Sequence, residues 1–203
     1  MARCVMLDVD GVLVNGRPQD GRSWAADIER DLGIAPERLQ AVFFAPHWGD
    51  VVVGRKDLVE VLRGCLPALS AAVSVDAFLD YWFQRDAAVD AAVLADCDAL
   101  RANGVRVVLA TNQEHLRARY LMERLGLGAH VDGIVYSAAV AARKPQQAFF
   151  EAAAAMTGSK PRDLVLVDDT AANIDAAIGA GWAGVRWSPG SSLLALLERG
   201  AHL

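Results

Sequence analysis

The chain has 203 residues, of which 54% are apolar and 22% charged, with a formal net charge of -5. That length supports one well-buried core with room for a small second lobe, and the acidic balance offers no basic footprint for nucleic acid. No apolar run approaches the roughly 20 residues that span a bilayer, and the first residues run into a strand without a cleavable leader pattern, so a cytoplasmic location with no membrane partner is expected.

In chain order, the apolar run Cys4 to Leu7 reads as a buried strand that ends in Asp8-Val9-Asp10-Gly11. Side chains at i and i+2 of an extended segment share a face, so Asp8 and Asp10 point into one site while Val9 points away. From about Arg17 to Val89 the pattern turns helical, at Trp24 to Leu32, Asp57 to Arg63 and Val75 to Arg85, with strand character only at Val51 to Val53. From Leu94 onward strands and helices alternate. Helices are expected over Leu94 to Ala102, Glu114 to Leu125, Gln146 to Met156 and Ala171 to Ala180, and strands over Val105 to Ala110, Gly133 to Tyr136, Leu164 to Val167 and Gly184 to Trp187. Strands that alternate with helices pair in parallel through right-handed crossovers. The expected fold is therefore α/β, a doubly wound parallel-sheet, Rossmann-like core over residues 1–15 and 91–203, with a small helical cap over residues 16–90. The cap would hinge at Asn15-Gly16-Arg17-Pro18 and around Ala87 to Ala92.

Each strand ends in polar residues: Asp8 and Asp10, then Thr111-Asn112-Gln113, then Asp168-Asp169-Thr170, with Arg143-Lys144-Pro145 following the weaker run Val131 to Tyr136. Ligands of open parallel sheets bind at the carboxyl ends of the strands, where strand order reverses. The four groups are thus expected to converge. Asp8, Asp10, Asp168 and Asp169 would bring up to four negative charges against the one positive charge of Lys144, a costly cluster without a cation or a shared proton. Carboxylate oxygens in that number suit magnesium.

Asp8-Val9-Asp10-Gly11-Val12-Leu13, Thr111-Asn112, Lys144-Pro145, and Asp168-Asp169 with Asn173-Ile174-Asp175-Ala176-Ala177 resemble the four ordered motifs of the haloacid dehalogenase superfamily. The likeness covers nearly the whole chain and is greatest to the branch with a small helical cap after the first strand, many of whose members are magnesium-dependent phosphatases of small metabolites. It implies that Asp8 is the nucleophile that becomes an aspartyl-phosphate, and that Asp10 is the acid and base that serves the leaving alcohol and then the water. Thr111, Asn112 and Lys144 would bind the phosphate, with Thr111 and Lys144 also counted among the catalytic groups. Asp8, the backbone carbonyl of Asp10, and Asp169 would hold Mg2+, while Asp168 supports the metal through water or orients Lys144. Many relatives carry Gly-Asp where Asp168-Asp169 stand and Asp where Asn173 stands, so the surroundings of the metal differ here.

Taken singly, the same residues have blander readings. Asp-x-Asp also begins turns, Thr111-Asn112 also caps helices, and Pro145 suits the first position of a helix. Phe43-Phe44 and His47-Trp48 are expected to pack within the cap, Arg55-Lys56 to be a solvated pair, and Trp182 and Trp187 to pack the sheet. His115 and His130 lack metal-ligand spacing. Cys4, Cys65 and Cys97 are odd in number and set among apolar neighbours, as reduced core thiols are. The function expected is magnesium-dependent hydrolysis of a small phosphorylated metabolite by a monomer or homodimer. The rival readings are a phosphomutase on the same aspartyl-phosphate, a dehalogenase, and a metabolite-binding module without turnover.

Overall fold

The computed structural model describes residues 4–200; residues 1–3 and 201–203, which fall in the expected core, lie outside the described residues. Five strands form one parallel sheet in the order β3-β2-β1-β4-β5, from β1 (Cys4–Leu7), β2 (Arg106–Thr111), β3 (Ile134–Tyr136), β4 (Leu164–Asp168) and β5 (Ala183–Arg186). The central strand pairs in register with both neighbours, Leu7 opposite Leu109 on one side and Val167 on the other. Strand order reverses between β1 and β4, so the carboxyl ends of these two strands flank the crevice of a doubly wound sheet.

Alternation along the strands sorts the core into two layers. Val5, Leu7, Val107, Leu109, Val165 and Val167 face α6 (Ala91–Ala102) and α11 (Leu193–Arg199). Cys4, Met6, Val108, Ala110, Leu164 and Leu166 face α9 (Gln147–Thr157) and α10 (Ala171–Gly179). A sheet covered on both faces needs unbroken apolar strands, and β1 is buried at every residue. Trp182 and Trp187 pack against opposite layers.

Residues between β1 and α6 form a helical segment with its own apolar cluster. Its helices are α1 (Ile28–Leu32), α2 (Pro36–Leu39), α3 (Gly49–Val51), α4 (Leu58–Leu69) and α5 (Val75–Arg85), and a π-helical stretch, Gln40–Trp48, joins α2 to α3. Trp82 is the hub: it stacks on Trp24 at 5.0 Å between ring centroids and meets Trp48 at 5.6 Å and Phe44 at 5.8 Å. Phe43 is fully buried in the same cluster, which also receives Leu116 and Tyr120 from the sheet-bearing part. The chain enters and leaves this segment through two paired stretches. Val14 bridges Val89, the Asn15 amide donates to Ala88 at 2.8 Å, and the Ala87 and Ala88 amides donate to Gly16 at 3.0 and 2.9 Å.

Several local expectations change. Val51 to Val53 forms no strand; it continues the helical path from Gln40, because its β-branched side chains are buried by tertiary packing, which overrides strand propensity. Pro46 lies inside the π-helical stretch, whose wider winding accommodates a residue that has no amide hydrogen. The helix expected from Trp24 begins only at Ile28, while α4 extends well past Arg63. Pro145 does not open α9, whose N-cap is Gln146. Thr111 and Asn112 cap no helix either: Thr111 ends β2, and Glu114 caps α7 (His115–Arg119) by accepting from the amides of Leu116 and Arg117. Among the described residues, no helix is long and apolar enough to cross a membrane.

Candidate active site

The carboxyl ends of β1, β2 and β4 and the loop after β3 meet around Lys144. Its ammonium lies 2.8 Å from Asp8 Oδ1 and 2.6 Å from Asp168 Oδ2, and all three residues are buried. Burial by itself would push the Lys144 ammonium down, but the two carboxylates outweigh it and hold its pKa above the usual lysine value. Asp8 is pushed up to about 7, by burial first, with Lys144 opposing and Asp168 and Asp10 adding to the rise. Burial and the neighbouring carboxylates together outweigh the one ammonium that Asp8 shares with Asp168.

Each member of this group is aimed by a neighbour. Asn112 clamps the Lys144 backbone, accepting from its amide at 2.8 Å and donating to its carbonyl at 3.1 Å. Asp168 accepts from the Thr170 amide at 2.8 Å and from Asn173 Nδ2, which lies 3.0 Å from each of its oxygens. The amide of Asn173 is thus matched to a carboxylate at 168, where a second carboxylate would repel. Gly11 has φ +82°, and a Cβ there would fall 2.3 Å from Asp169 Oδ2, so only glycine lets the loop after β1 pass this carboxylate.

Asp8, Asp168 and Asp169 each offer an oxygen within 4.8 Å of the others, a donor set of hard oxygens suited to a divalent cation. The Asp10 carboxylate stands apart from these three and accepts from Gln113 Nε2 at 2.6 Å. Asp10 meets solvent at the crevice mouth, yet crowding by surrounding protein pushes its pKa up to about 6, Asp86 adds to the rise, and Arg117 and Gln113 oppose it. Thr111 Oγ1 is buried and has no hydrogen-bond partner. Buried hydroxyls normally have one, so this hydroxyl is left free to donate.

Residues 2–181 match the model of a family described as haloacid dehalogenase-like hydrolase. The chain belongs to that family. This hydrolase is 32% identical over 196 residues to a phosphoglycolate phosphatase of Rhodospirillum rubrum, covering 89% of this chain and 77% of that protein. It is 27% identical over 194 residues to one of Pseudomonas putida, covering 89% and 67%. Its fold is shared with a haloacid dehalogenase family enzyme of Bacteroides thetaiotaomicron solved with magnesium and inorganic phosphate, at a TM-score of 0.79, 16% identity, and coverage of 97% of this chain and 99% of that one.

In the hydrolase, then, Asp8, Lys144, Asp168 and Asp169 form one cluster, with Asp10 at its mouth and the Thr111 hydroxyl unpartnered beside them. Asn112 faces the Lys144 backbone and spends one of its two amide hydrogens and its carbonyl oxygen on that clamp. Sequence reasoning set Gln113 among the converging polar residues but passed over its contact with Asp10. It passed over Ser137 as well, which carries no local signal at all. Outside the cluster, Arg55 and Lys56 pair with Asp50 at 3.6 and 3.0 Å, and His115 contacts the Tyr136 hydroxyl at 3.2 Å.

Proposed function

We propose that this hydrolase is a magnesium-dependent phosphatase that cleaves a small phosphate monoester through an aspartyl-phosphate on Asp8. The observation that carries the reading is the convergence of Asp8, Lys144, Asp168 and Asp169 beside a buried, unpartnered Thr111 hydroxyl. Asp8 and Asp169, with the backbone carbonyl of Asp10, would hold the metal, and Asp168 would support it from its place beside Lys144. When bound, the ion neutralises charge as the phosphate dianion meets the carboxylates. The family relatives named as phosphatases, and the structural neighbour solved with magnesium and phosphate, support the same reading.

The chain's own groups divide the work. Asp8 attacks phosphorus through a carboxylate oxygen; the bond from phosphorus to the ester oxygen breaks, and Asp10 supplies the proton that the leaving alkoxide takes up. Asp10 then removes a proton from water, which attacks the aspartyl-phosphate, releases phosphate and restores Asp8. Lys144 and the Thr111 hydroxyl balance charge on the phosphoryl oxygens, the main demand of phosphoryl transfer. The helical segment 16–90 serves as the cap. Between it and Asp10 lies a cavity of about 360 Å³ bordered by Gly11, Asn15, Ser23, Trp24 and Asp86, with no Lys or Arg in its lining. That lining suits an uncharged leaving group better than a carboxylate such as that of phosphoglycolate. The three cysteines are free and buried, in keeping with a reducing, cytoplasmic compartment.

The test is phosphate release from an aryl phosphate with and without magnesium, with Asp8→Asn as the control. Metal-dependent release by the parent, and a loss of at least about 1,000-fold in the variant, supports the reading. Equal rates in parent and variant would overturn it.

A further inference from the structure

Gln113 joins the crevice to the helical segment. Its side-chain amide donates to Asp10 Oδ2 at 2.6 Å, and the residue is 4% exposed. Its backbone carbonyl is fixed in turn, accepting from the Ala138 amide at 3.1 Å, with Ser137 Oγ also 3.1 Å away. Ser137 is fully buried at the start of α8 (Ser137–Val140), and its hydroxyl donates to the carbonyl of Val52. Val52 belongs to the helical segment, just after α3. Two residues further on, Gly54 has φ +73°, and a Cβ there would lie 2.7 Å from the Ala138 carbonyl oxygen and 3.2 Å from His115 Nε2. The segment therefore sits on the residues that hold Gln113, at a spot where no side chain fits.

Resting on the phosphatase reading, we propose that Gln113 is a positioning residue that aims the Asp10 carboxyl at the leaving-group oxygen, and that the seat of Val52 and Gly54 on Ser137 and Ala138 sets that aim. The physical argument is geometric. Asp10 lies on a loop at the crevice mouth, and a carboxyl there has several rotamers of similar energy. Proton transfer requires the acid within hydrogen-bond reach of the leaving oxygen. A buried amide, itself clamped through its backbone, selects one rotamer. Because Ser137 and Ala138, which adjoin the Gln113 carbonyl, are themselves seated on Val52 and Gly54 of the helical segment, the acid is aimed when that segment is seated over the substrate, and misaimed when it is not. Conformational closure of this kind commonly completes a catalytic constellation.

A general acid matters most when the leaving group is poor, so the readout is the ratio of kcat/KM for phenyl phosphate to that for nitrophenyl phosphate, two esters of similar shape. In Gln113→Glu, which keeps the size of the side chain but replaces the donor with an acceptor, the ratio is expected to fall by about tenfold or more, part of the 100- to 10,000-fold that positioned acids contribute. Ser137→Ala and Gly54→Ala are expected to lower it in the same direction by a smaller factor. Adding Gln113→Glu to Asp10→Asn should lower the ratio no further, because the amide acts through Asp10. An equal loss on both esters in Gln113→Glu would mean a purely structural role and overturn the proposal, and an unchanged ratio in Ser137→Ala would overturn the link to the helical segment. A parent that shows Asp8-dependent release from nitrophenyl phosphate keeps the phosphatase reading whatever the ratios do; a parent that releases phosphate from neither ester ends both.

Discussion

The sheet end and the helical segment are built by opposite means. At the carboxyl ends of β1 and β4, backbone register places charged groups: Leu7 pairs with Val167, which sets Asp8 and Asp168 side by side with Lys144 between them. In the helical segment no ladder fixes the parts, and the helices are located by aromatic side chains gathered on Trp82. The first region is precise because strand pairing leaves it few degrees of freedom. The second is held by packing area, which tolerates small shifts, as the proposed role of a cap over the substrate requires.

The sharpest way to break this contrast is at Lys144. Lys144→Met leaves Asp8 and Asp168 buried without their shared cation, and removal of one partner from a buried pair costs about 3–5 kcal/mol. Urea unfolding in magnesium-free buffer should show a loss of that order, together with a fall in phosphate release of about 100- to 1,000-fold; a small change in both would mean that the cluster does not depend on this ammonium. In the other region, Trp82→Ala should cost about 3–5 kcal/mol, but as local loosening. Limited proteolysis should cut within residues 16–90 while the sheet-bearing part resists, and simultaneous loss of both parts would show that the two clusters unfold as one. Because the site is assembled on the sheet, the activity lost here should be smaller than in Lys144→Met.

A smaller effect concerns the entry to the helical segment. Arg17 is buried there and pairs with Asp20 and Asp27. Its hydrogen bonds are the main reason that the Asp27 pKa lies below the usual carboxylate value and that Asp20 is lowered to about 2. Carboxylates with lowered pKa stabilise the fold above their unfolded value of about 4 and lose that contribution as pH falls through the folded value. The gap in thermal midpoint between the parent and Asp27→Asn should therefore be present at pH 7 and narrow as pH falls from about 4 toward 2. A gap that stays constant over that range would remove the pair from the account of the segment's stability.

The contrast also explains which features were legible in the sequence. The strands stood out as unbroken apolar runs because both faces of the sheet are covered, and Asp8, Thr111, Lys144 and Asp168 stood out because strand-to-loop transitions are local in sequence. The span of α5 was likewise plain from its periodicity. The stretch 36–51 was not, since its π-helical winding has no 3.6-residue period and Pro46 argues against a helix. Val51 to Val53 misled for the same reason: branched side chains suit either a strand or a buried turn, and only the packing chooses.

By itself the sequence determined the strands, the polar groups at their carboxyl ends and the family, because each strand and motif is read from residues a few positions apart. Tertiary structure alone decided what aims those groups. Gln113 reaches Asp10 across 103 residues, and Ser137 reaches Val52 across 85. No spacing rule links positions so distant: the first meeting depends on β1 pairing with β2, and the second on how the helical segment folds back over the sheet.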